Sequence, residues 1–245
     1  MPNPLTLKLQ NFARFSDEDL RALDALTNIN VRRLRAREDI VREGDDIKFV
    51  HLLLDGWAYR HKTLKDGRRQ IIALMVPGDL CDPDIFLLKE MDHSLAALTP
   101  ARFARLPREA LDRFAEAHAA INRALRRDTL VMAAIQREWT VSLGQRSAFE
   151  RLAHLFCELL LRLGNVALVR NNSFELPLTQ HELAELTGIT PVHVNRTLQQ
   201  LRARNLIRWK GREFYIPDVE ALKGAALFSS DYLHCGHEGV HVDVR

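Results

Sequence analysis

Cysteine is scarce in this chain. Its 245 residues hold three, Cys81, Cys157 and Cys235, odd in number and widely separated. Such spacing lays down no disulfide framework and suits a reducing compartment, so a cytoplasmic protein is expected. Long apolar runs are missing too. The most hydrophobic stretch, residues 152–163, is broken by His154, Glu158 and Arg162, and no membrane span is expected. The opening MPNPLTLKLQ lacks a basic segment followed by an apolar run, so no secretory signal is read there. Excess charge of either sign is small, at a net +3, so only local clustering can point to a partner. No P-loop, nucleophile elbow or His-Glu-x-x-His pattern occurs. No enzyme activity, cofactor or metal is therefore expected.

What is present is an ordinary globular composition, 47% hydrophobic and 27% charged, long enough for two domains each with a core. Ser16 followed by Asp17, Glu18 and Asp19 starts a short helix whose acids face the positive end of the dipole, with Leu20, Leu23 and Leu26 as its apolar face. From residue 29 to 106 short strands are parted by turn signals at Gly44, Gly56, Gly67 and Gly78, which predicts an antiparallel β unit. Within it Trp57, Tyr59 and His61 alternate with Ala58, Arg60 and Lys62, as in a strand with one wet face. After Pro107 the chain turns helical. Ile121, Leu125, Asp128, Met132, Ile135, Trp139 and Ser142 recur at spacings of four and three, the pattern of a coiled-coil seam, although a helix packed on its own domain has the same stripe. Residues 144–147 read as a hinge before a helix over 148–163.

The richest stretch is residues 178–207, LTQHELAELTGITPVHVNRTLQQLRARNLI. Thr179 and Glu182 fit a capping box, Leu183 and Leu186 face a core, and Gly188 stands where a left-handed residue ends a helix. Thr190 caps a second helix with Pro191 in its first turn. Val194, Leu198 and Leu201 must turn inward, leaving Val192, His193, Asn195, Arg196, Gln199 and Arg202 outside. These side chains suit base edges: Arg pairs with guanine, Asn and Gln with adenine, Val with the thymine methyl. Arg202, Arg204, Arg208, Lys210 and Arg212 follow with no acid before Glu213, a run suited to phosphates. A solvated basic hairpin is the plainer alternative.

This segment, followed by WKGREFYI, resembles the winged helix-turn-helix of the Crp/Fnr superfamily of bacterial transcription regulators. The resemblance implies that Pro191, Val192, Asn195 and Arg196 enter the major groove and that Lys210, Gly211 and Arg212 form the wing. Thr179, His181, Thr190, His193, Gln199 and Arg202 complete the implied DNA-binding set. Pro191 and Val192 depart from the charged pair of the cyclic-AMP-responsive branch, so a different DNA sequence is expected. The glycine spacing ending in Pro77-Gly78-Asp79-Leu80 is similar to the superfamily's cyclic-nucleotide-binding β-roll. The implied fold is α+β: an antiparallel β-roll, or double-stranded β-helix, then a long dimerisation helix, then a C-terminal winged helix-turn-helix. Expected bounds are 1–107, 108–143, 144–218 and a tail over 219–245.

The implied effector pocket departs from the family. Where nucleotide binders carry Gly-Glu and Arg-Ser, this chain has Asp82-Pro83 and His93-Ser94. Losing the Arg removes a bidentate phosphate donor, and Asp82 and Asp84 repel an anion, so tight cyclic AMP or cyclic GMP binding is not expected. With no cysteine before Cys81, the iron–sulfur branch is not expected either. Cys81, beside Asp79 and Asp82, should hold its proton tightly. His93 could touch a ligand or a haem, though a lone histidine is more often structural. His234, Cys235, His237 and His241 could form part of a metal site, though a glycine-containing tail is more often merely flexible.

These readings converge on a sequence-specific DNA-binding regulator, a homodimer joined through Ile121, Leu125, Asp128, Met132, Ile135 and Trp139. It would sit on a near-palindromic operator, contact RNA polymerase, and answer to an unidentified signal at the β-roll. The alternative is a small-molecule receptor whose helix-turn-helix contacts protein. A metal-dependent enzyme built on the tail ranks last.

Overall fold

A computed structural model describes residues 3–234. The N-terminus opens with a helix that the sequence reading did not single out. In α1 (Pro4–Gln10) the Asn3 side chain accepts from the N–H groups of Leu5 and Thr6, and Pro4 takes the first turn, where its missing N–H costs nothing. Leu5 and Leu9, one turn apart, are fully buried. In α2 (Asp17–Thr27) Ser16 and Asp19 close a capping box.

Eight strands follow: β1 (Val31–Leu34), β2 (Asp39–Val41), β3 (Val50–Asp55), β4 (Ala58–Thr63), β5 (Arg69–Met75), β6 (Leu80–Cys81), β7 (Ser94–Ala97) and β8 (Ala101–Leu106). They form two antiparallel four-stranded sheets, ordered β1-β8-β3-β6 and β2-β7-β4-β5. Between the sheets lie Leu34, Leu53, Ala58, Met75, Leu95, Ala97 and Phe103. Gly78 has φ +93°, and a Cβ there would come within 2.7 Å of the Pro4 carbonyl oxygen, so this turn accepts α1 only as glycine.

The wet face expected for β4 is absent over residues 57–60. Ala58 and Arg60 point into the roll, while Trp57 and Tyr59 join the main core outside it. Alternation alone cannot reveal that a second layer covers each face. Exposure begins at Lys62.

Beyond the roll run α3 (Arg108–Ala117), α4 (Ala119–Gln145) and α5 (Ala148–Gly164). α4 is about 40 Å long. Its stripe does not make the expected seam. Ile121, Leu125, Asp128, Ile135, Trp139 and Ser142 are buried, and Met132 half-buried, within the one chain. The polar members of the stripe have internal partners: Asp128 accepts from Lys8 and Ser142 Oγ accepts from Arg146 Nη1. Gly144 lies inside the last turn of α4, which shortens the expected hinge to Arg146 and Ser147, the latter the N-cap of α5.

The C-terminal unit comprises α5, β9 (Ser173–Glu175), α6 (Gln180–Thr187), α7 (Pro191–Ala203), β10 (Arg208–Lys210) and β11 (Glu213–Tyr215), the strands pairing as β10-β11-β9. The segment expected as a tail is folded as far as it is described. α8 (Val219–Ala226) packs on α5, and Tyr232 Oη donates to Glu158 Oε2 at 2.9 Å. Cys235, His237 and His241 of the candidate tail metal set lie outside the described residues. No helix among those described is long and apolar enough to cross a membrane.

Candidate nucleic-acid interface

The helix-turn-helix forms by the local chemistry its sequence carries. Thr179 Oγ1 accepts from the Glu182 N–H at 3.2 Å while Glu182 accepts from the Thr179 N–H at 2.7 Å, which starts α6. Gly188, at φ +66°, ends it and donates to the Ala184 carbonyl. Thr190 accepts from the His193 N–H and starts α7. Leu183, Leu186, Val194, Leu198 and Leu201 are buried as expected, and Thr197 joins them with its hydroxyl donating to the His193 carbonyl.

That packing turns one face of α7 to solvent. Pro191, Val192, His193, Asn195, Arg196, Gln199 and Arg202 are all exposed, and Val192 keeps 72% of its surface. Its apolar side chain is therefore left free for contact rather than spent on the core. With Gln180, which the sequence reading missed, Pro191, Val192, Asn195, Arg196 and Gln199 line a concavity of about 440 Å³. Gln180 was legible as the first residue after the Thr179 cap. Two expected DNA contacts serve as caps: the Thr179 hydroxyl both donates to and accepts from Glu182, whereas that of Thr190 accepts from the His193 N–H and keeps its proton. His181 is exposed, 3.5 Å from Glu185.

The basic run divides by its partners. Arg204 lies over the Phe149 ring, Arg208 over Tyr215, and Arg212 pairs with Glu175 at 3.1 Å. Among the described residues the Arg196, Arg202 and Lys210 side chains have no hydrogen-bond or ion-pair partner, and all three stand exposed. Gly211, between β10 and β11, has φ +61°.

At the expected effector pocket the residues are tied to one another. Arg60 is buried and donates from Nη1 to Asp82 Oδ1 at 2.9 Å. Buried His93 lies 3.7 Å from Cys81 Sγ and donates from Nδ1 to Asp92 Oδ1 at 2.7 Å. Ser94 Oγ accepts from the Glu43 N–H, and Pro83 is half-buried. Burial pushes the Cys81 thiol up to about 12; the Arg60 cation opposes that and Asp82 adds to it. The expected direction holds, but burial outweighs the neighbouring charge. A cyclic phosphate does not fit this donor set, because its one guanidinium is already neutralised by Asp82 and a second carboxylate stands behind His93. A separate cavity of about 410 Å³ opens within the roll, with Leu34, Ile40 and Phe103 as apolar walls, Arg32, Lys48 and Arg105 as cations and Asp45 and Asp46 as anions.

The roll and the DNA-facing unit are joined by ion pairs, exposed at Arg37, half-buried at Arg69 and buried at Asp79. Arg69 holds Glu185 of α6 through Nε and Nη2 at 2.7–3.0 Å, and Arg37 reaches Glu182 at 3.2 Å. Asp79, at the head of β6, accepts from both Lys8 and Arg162 at 2.8 Å. Lys8 also bonds Asp128 of α4, and Arg162 also bonds Glu158 of α5. Burial alone would raise the Asp79 carboxyl, yet the two cations hold it below the usual carboxylate range. Asp128, with burial dominant and Lys8 as its near cation, is raised.

Comparison with known proteins follows the same order along the chain. Residues 31–118 match the cyclic nucleotide-binding domain, and residues 150–225 match the Crp-like helix-turn-helix domain. A probable transcriptional activator of Rhizobium leguminosarum bv. viciae is 28% identical over 193 residues, spanning 78% of this chain and 79% of that one. The transcriptional activator protein FnrL of Cereibacter sphaeroides is 27% identical, spanning 83% of this chain and 82% of its own. The solved structure of FixK2 from Bradyrhizobium japonicum shares the fold with a TM-score of 0.71 at 23% identity, covering 80% of this chain and 96% of that one. With the β-roll, the long helix and the winged helix-turn-helix in this order, the chain belongs to the Crp/Fnr superfamily of DNA-binding transcription regulators and is not an enzyme.

Proposed function

We propose that the protein is a homodimer that binds a near-palindromic operator through α7 and changes its grip when a signal reaches the β-roll. The observation that carries this reading is the outward set on α7, where Val192, Asn195, Arg196 and Gln199 offer one apolar and three hydrogen-bonding groups to a single concavity. Those groups match base edges, while Arg202 and Lys210 supply cations for the flanking phosphates. A two-fold pair would set two such helices about 34 Å apart, one turn of DNA. The relatives are named as activators, so contact with RNA polymerase in the cytoplasm belongs to this reading.

The signal fits the roll better as something other than a cyclic nucleotide. The 410 Å³ cavity, whose apolar walls carry both cations and the carboxylates Asp45 and Asp46, suits a small molecule with an apolar body and polar groups of both signs. A change there reaches α6 through Arg69 and α5 through Asp79 and Arg162, biasing two arrangements of the DNA-binding unit.

The test is selection of bound duplexes from a random library by the purified protein, with and without cell extract. A shared inverted-repeat sequence is expected, with binding that weakens steeply as salt rises. Equal retention of all duplexes under every condition would refute the proposal and favour protein contact by the same face.

A further inference from the structure

Cys81, Asp82 and His93 converge on one point, and only the contacts to sulfur are within hydrogen-bond reach. Cys81 Sγ is 3.7 Å from His93 Nε2 and 3.7 Å from Asp82 Oδ2, and these two atoms are 3.6 Å apart. The histidine–carboxylate separation is too long for a hydrogen bond. Three donors of different kinds thus form a nearly equilateral triangle. A tetrahedral zinc ion with ordinary bond lengths to sulfur, nitrogen and oxygen spaces its ligands by about 3.4–3.6 Å.

The fold builds this triangle at some expense. Asp82 follows the last residue of β6 with φ +43°, and this left-handed turn brings its carboxylate beside the Cys81 thiol. Each remaining polar atom is held from behind. His93 Nδ1 is paired with Asp92 Oδ1 at 2.7 Å, the carboxylate–histidine arrangement that orients a metal ligand. Asp82 Oδ1 is fixed by Arg60 Nη1 at 2.9 Å. Charge completes the argument: a Cys81 thiolate with Asp82 and Asp92 carries three negative charges, Arg60 cancels one, and a divalent ion cancels the rest. Thiolate and imidazole together select the zinc class over calcium or magnesium.

We infer that Cys81, Asp82 and His93 bind one divalent transition ion of the zinc class, with Asp92 and Arg60 orienting the ligands and the fourth position open. The ion displaces the thiol proton to solvent and forms a metal–sulfur bond, with no change of oxidation state. Asp82 keeps 36% of its side chain exposed and gives solvent access. The site stands apart from α7, so its existence does not depend on DNA binding.

Cobalt(II) is the probe, titrated into the full-length, metal-stripped protein and followed by optical absorption. One equivalent is expected to give a thiolate-to-cobalt charge-transfer band with the visible bands of a tetrahedral ion, displaced by zinc. Cys81→Ser removes the charge-transfer band, whereas Cys157→Ser and Cys235→Ser keep it. Asp92→Asn changes a side chain at the surface, 68% exposed, and so leaves the fold intact while lowering cobalt affinity roughly 10–100-fold. Absence of cobalt binding, a band that survives Cys81→Ser, a band lost with Cys235→Ser, or an affinity untouched by Asp92→Asn each overturns the site.

Discussion

Arg196 and Lys210 are both exposed cations of the DNA-binding unit, yet their surroundings assign them different work. Arg196 shares a concavity with Asn195 and Gln199, so under the proposed function its fork would meet a guanine edge; Lys210, on the wing hairpin outside that concavity, would meet backbone phosphate. Arg196→Ala should cost ~1–3 kcal/mol on the preferred duplex and relax one position of the selected sequence. Lys210→Ala should weaken all duplexes alike and lower the salt slope by about one. Binding titrations on matched and mismatched duplexes at two salt concentrations separate the two; an unchanged footprint for Arg196→Ala contradicts its role. His154 makes a prediction of a different kind. It stacks on Tyr232 and Phe228, and burial, reinforced by Arg146, lowers its pKa to about 4. The folded protein therefore refuses a proton that the unfolded chain accepts below about pH 6.5. Stability is whole above that pH and falls as pH drops toward 4, by roughly 2–3 kcal/mol for this group. His154→Phe keeps a ring in the stack and should flatten the urea midpoint across that window; an unaltered pH profile would contradict this. His51, also lowered to about 4 chiefly by burial, supplies a second share that the variant leaves in place. At this scale the sequence disclosed α7's outward residues because they follow one helix. It hid the Cys81–His93 contact, since twelve residues separate them and they approach from opposite sheets of the roll.

Elements with their own punctuation were legible, and those defined by neighbours were not. Ser16, Thr179, Gly188, Thr190 and Pro191 announced α2, α6 and α7 because caps act within four residues. The α1 helix carried the same marks, Asn3 then Pro4 with Leu5 and Leu9 one turn apart, and was overlooked because seven residues make a weak periodic signal. For α4 the stripe was real but its owner was misassigned: spacing of four and three tells which face is apolar, not whose surface covers it. The covering surfaces are α1, α3 and the turn at Asp231–Leu233, with Gln136 reaching the Ile72 carbonyl of β5 and Trp139 reaching Glu158 of α5; the roll and the DNA-binding unit meet directly where α6 lies on β5. There Arg69 clasps Glu185 with its planar fork, half hidden from solvent. A double-mutant cycle with Arg69→Ala and Glu185→Ala, read by urea unfolding, should give a coupling of about 1–2 kcal/mol, between that of an exposed pair and a buried charged hydrogen bond. Additive effects would show that the clasp contributes nothing to holding the two units together.

Across the whole molecule, the burial of α4's expected seam moves the question of partnership to the opposite face. Arg123, Arg126, Leu130, Arg137 and Val141 are exposed there, and Leu130 keeps 67% of its surface in the middle of the helix. A two-fold partner on this face would cover Leu130 and Val141 while their arginine neighbours, which repel their own kind, stay at the rim in water. Such an arrangement also leaves both α7 helices free, and it couples the subunits to the sensor, because the buried side of the same helix holds Asp128 against Lys8 and Asp79. Leu130→Arg places a further cation at the centre of that face without touching the chain's own core. Sedimentation of the unaltered protein should give twice 28.1 kDa, and of the variant 28.1 kDa, with the same helical content. The variant should also lose the inverted-repeat preference while keeping salt-sensitive binding to half-sites. If Leu130→Arg sediments as a pair, the face is free and the partner sits elsewhere. If the unaltered protein is itself a monomer, one recognition helix must find its site alone, and the palindrome has no physical cause.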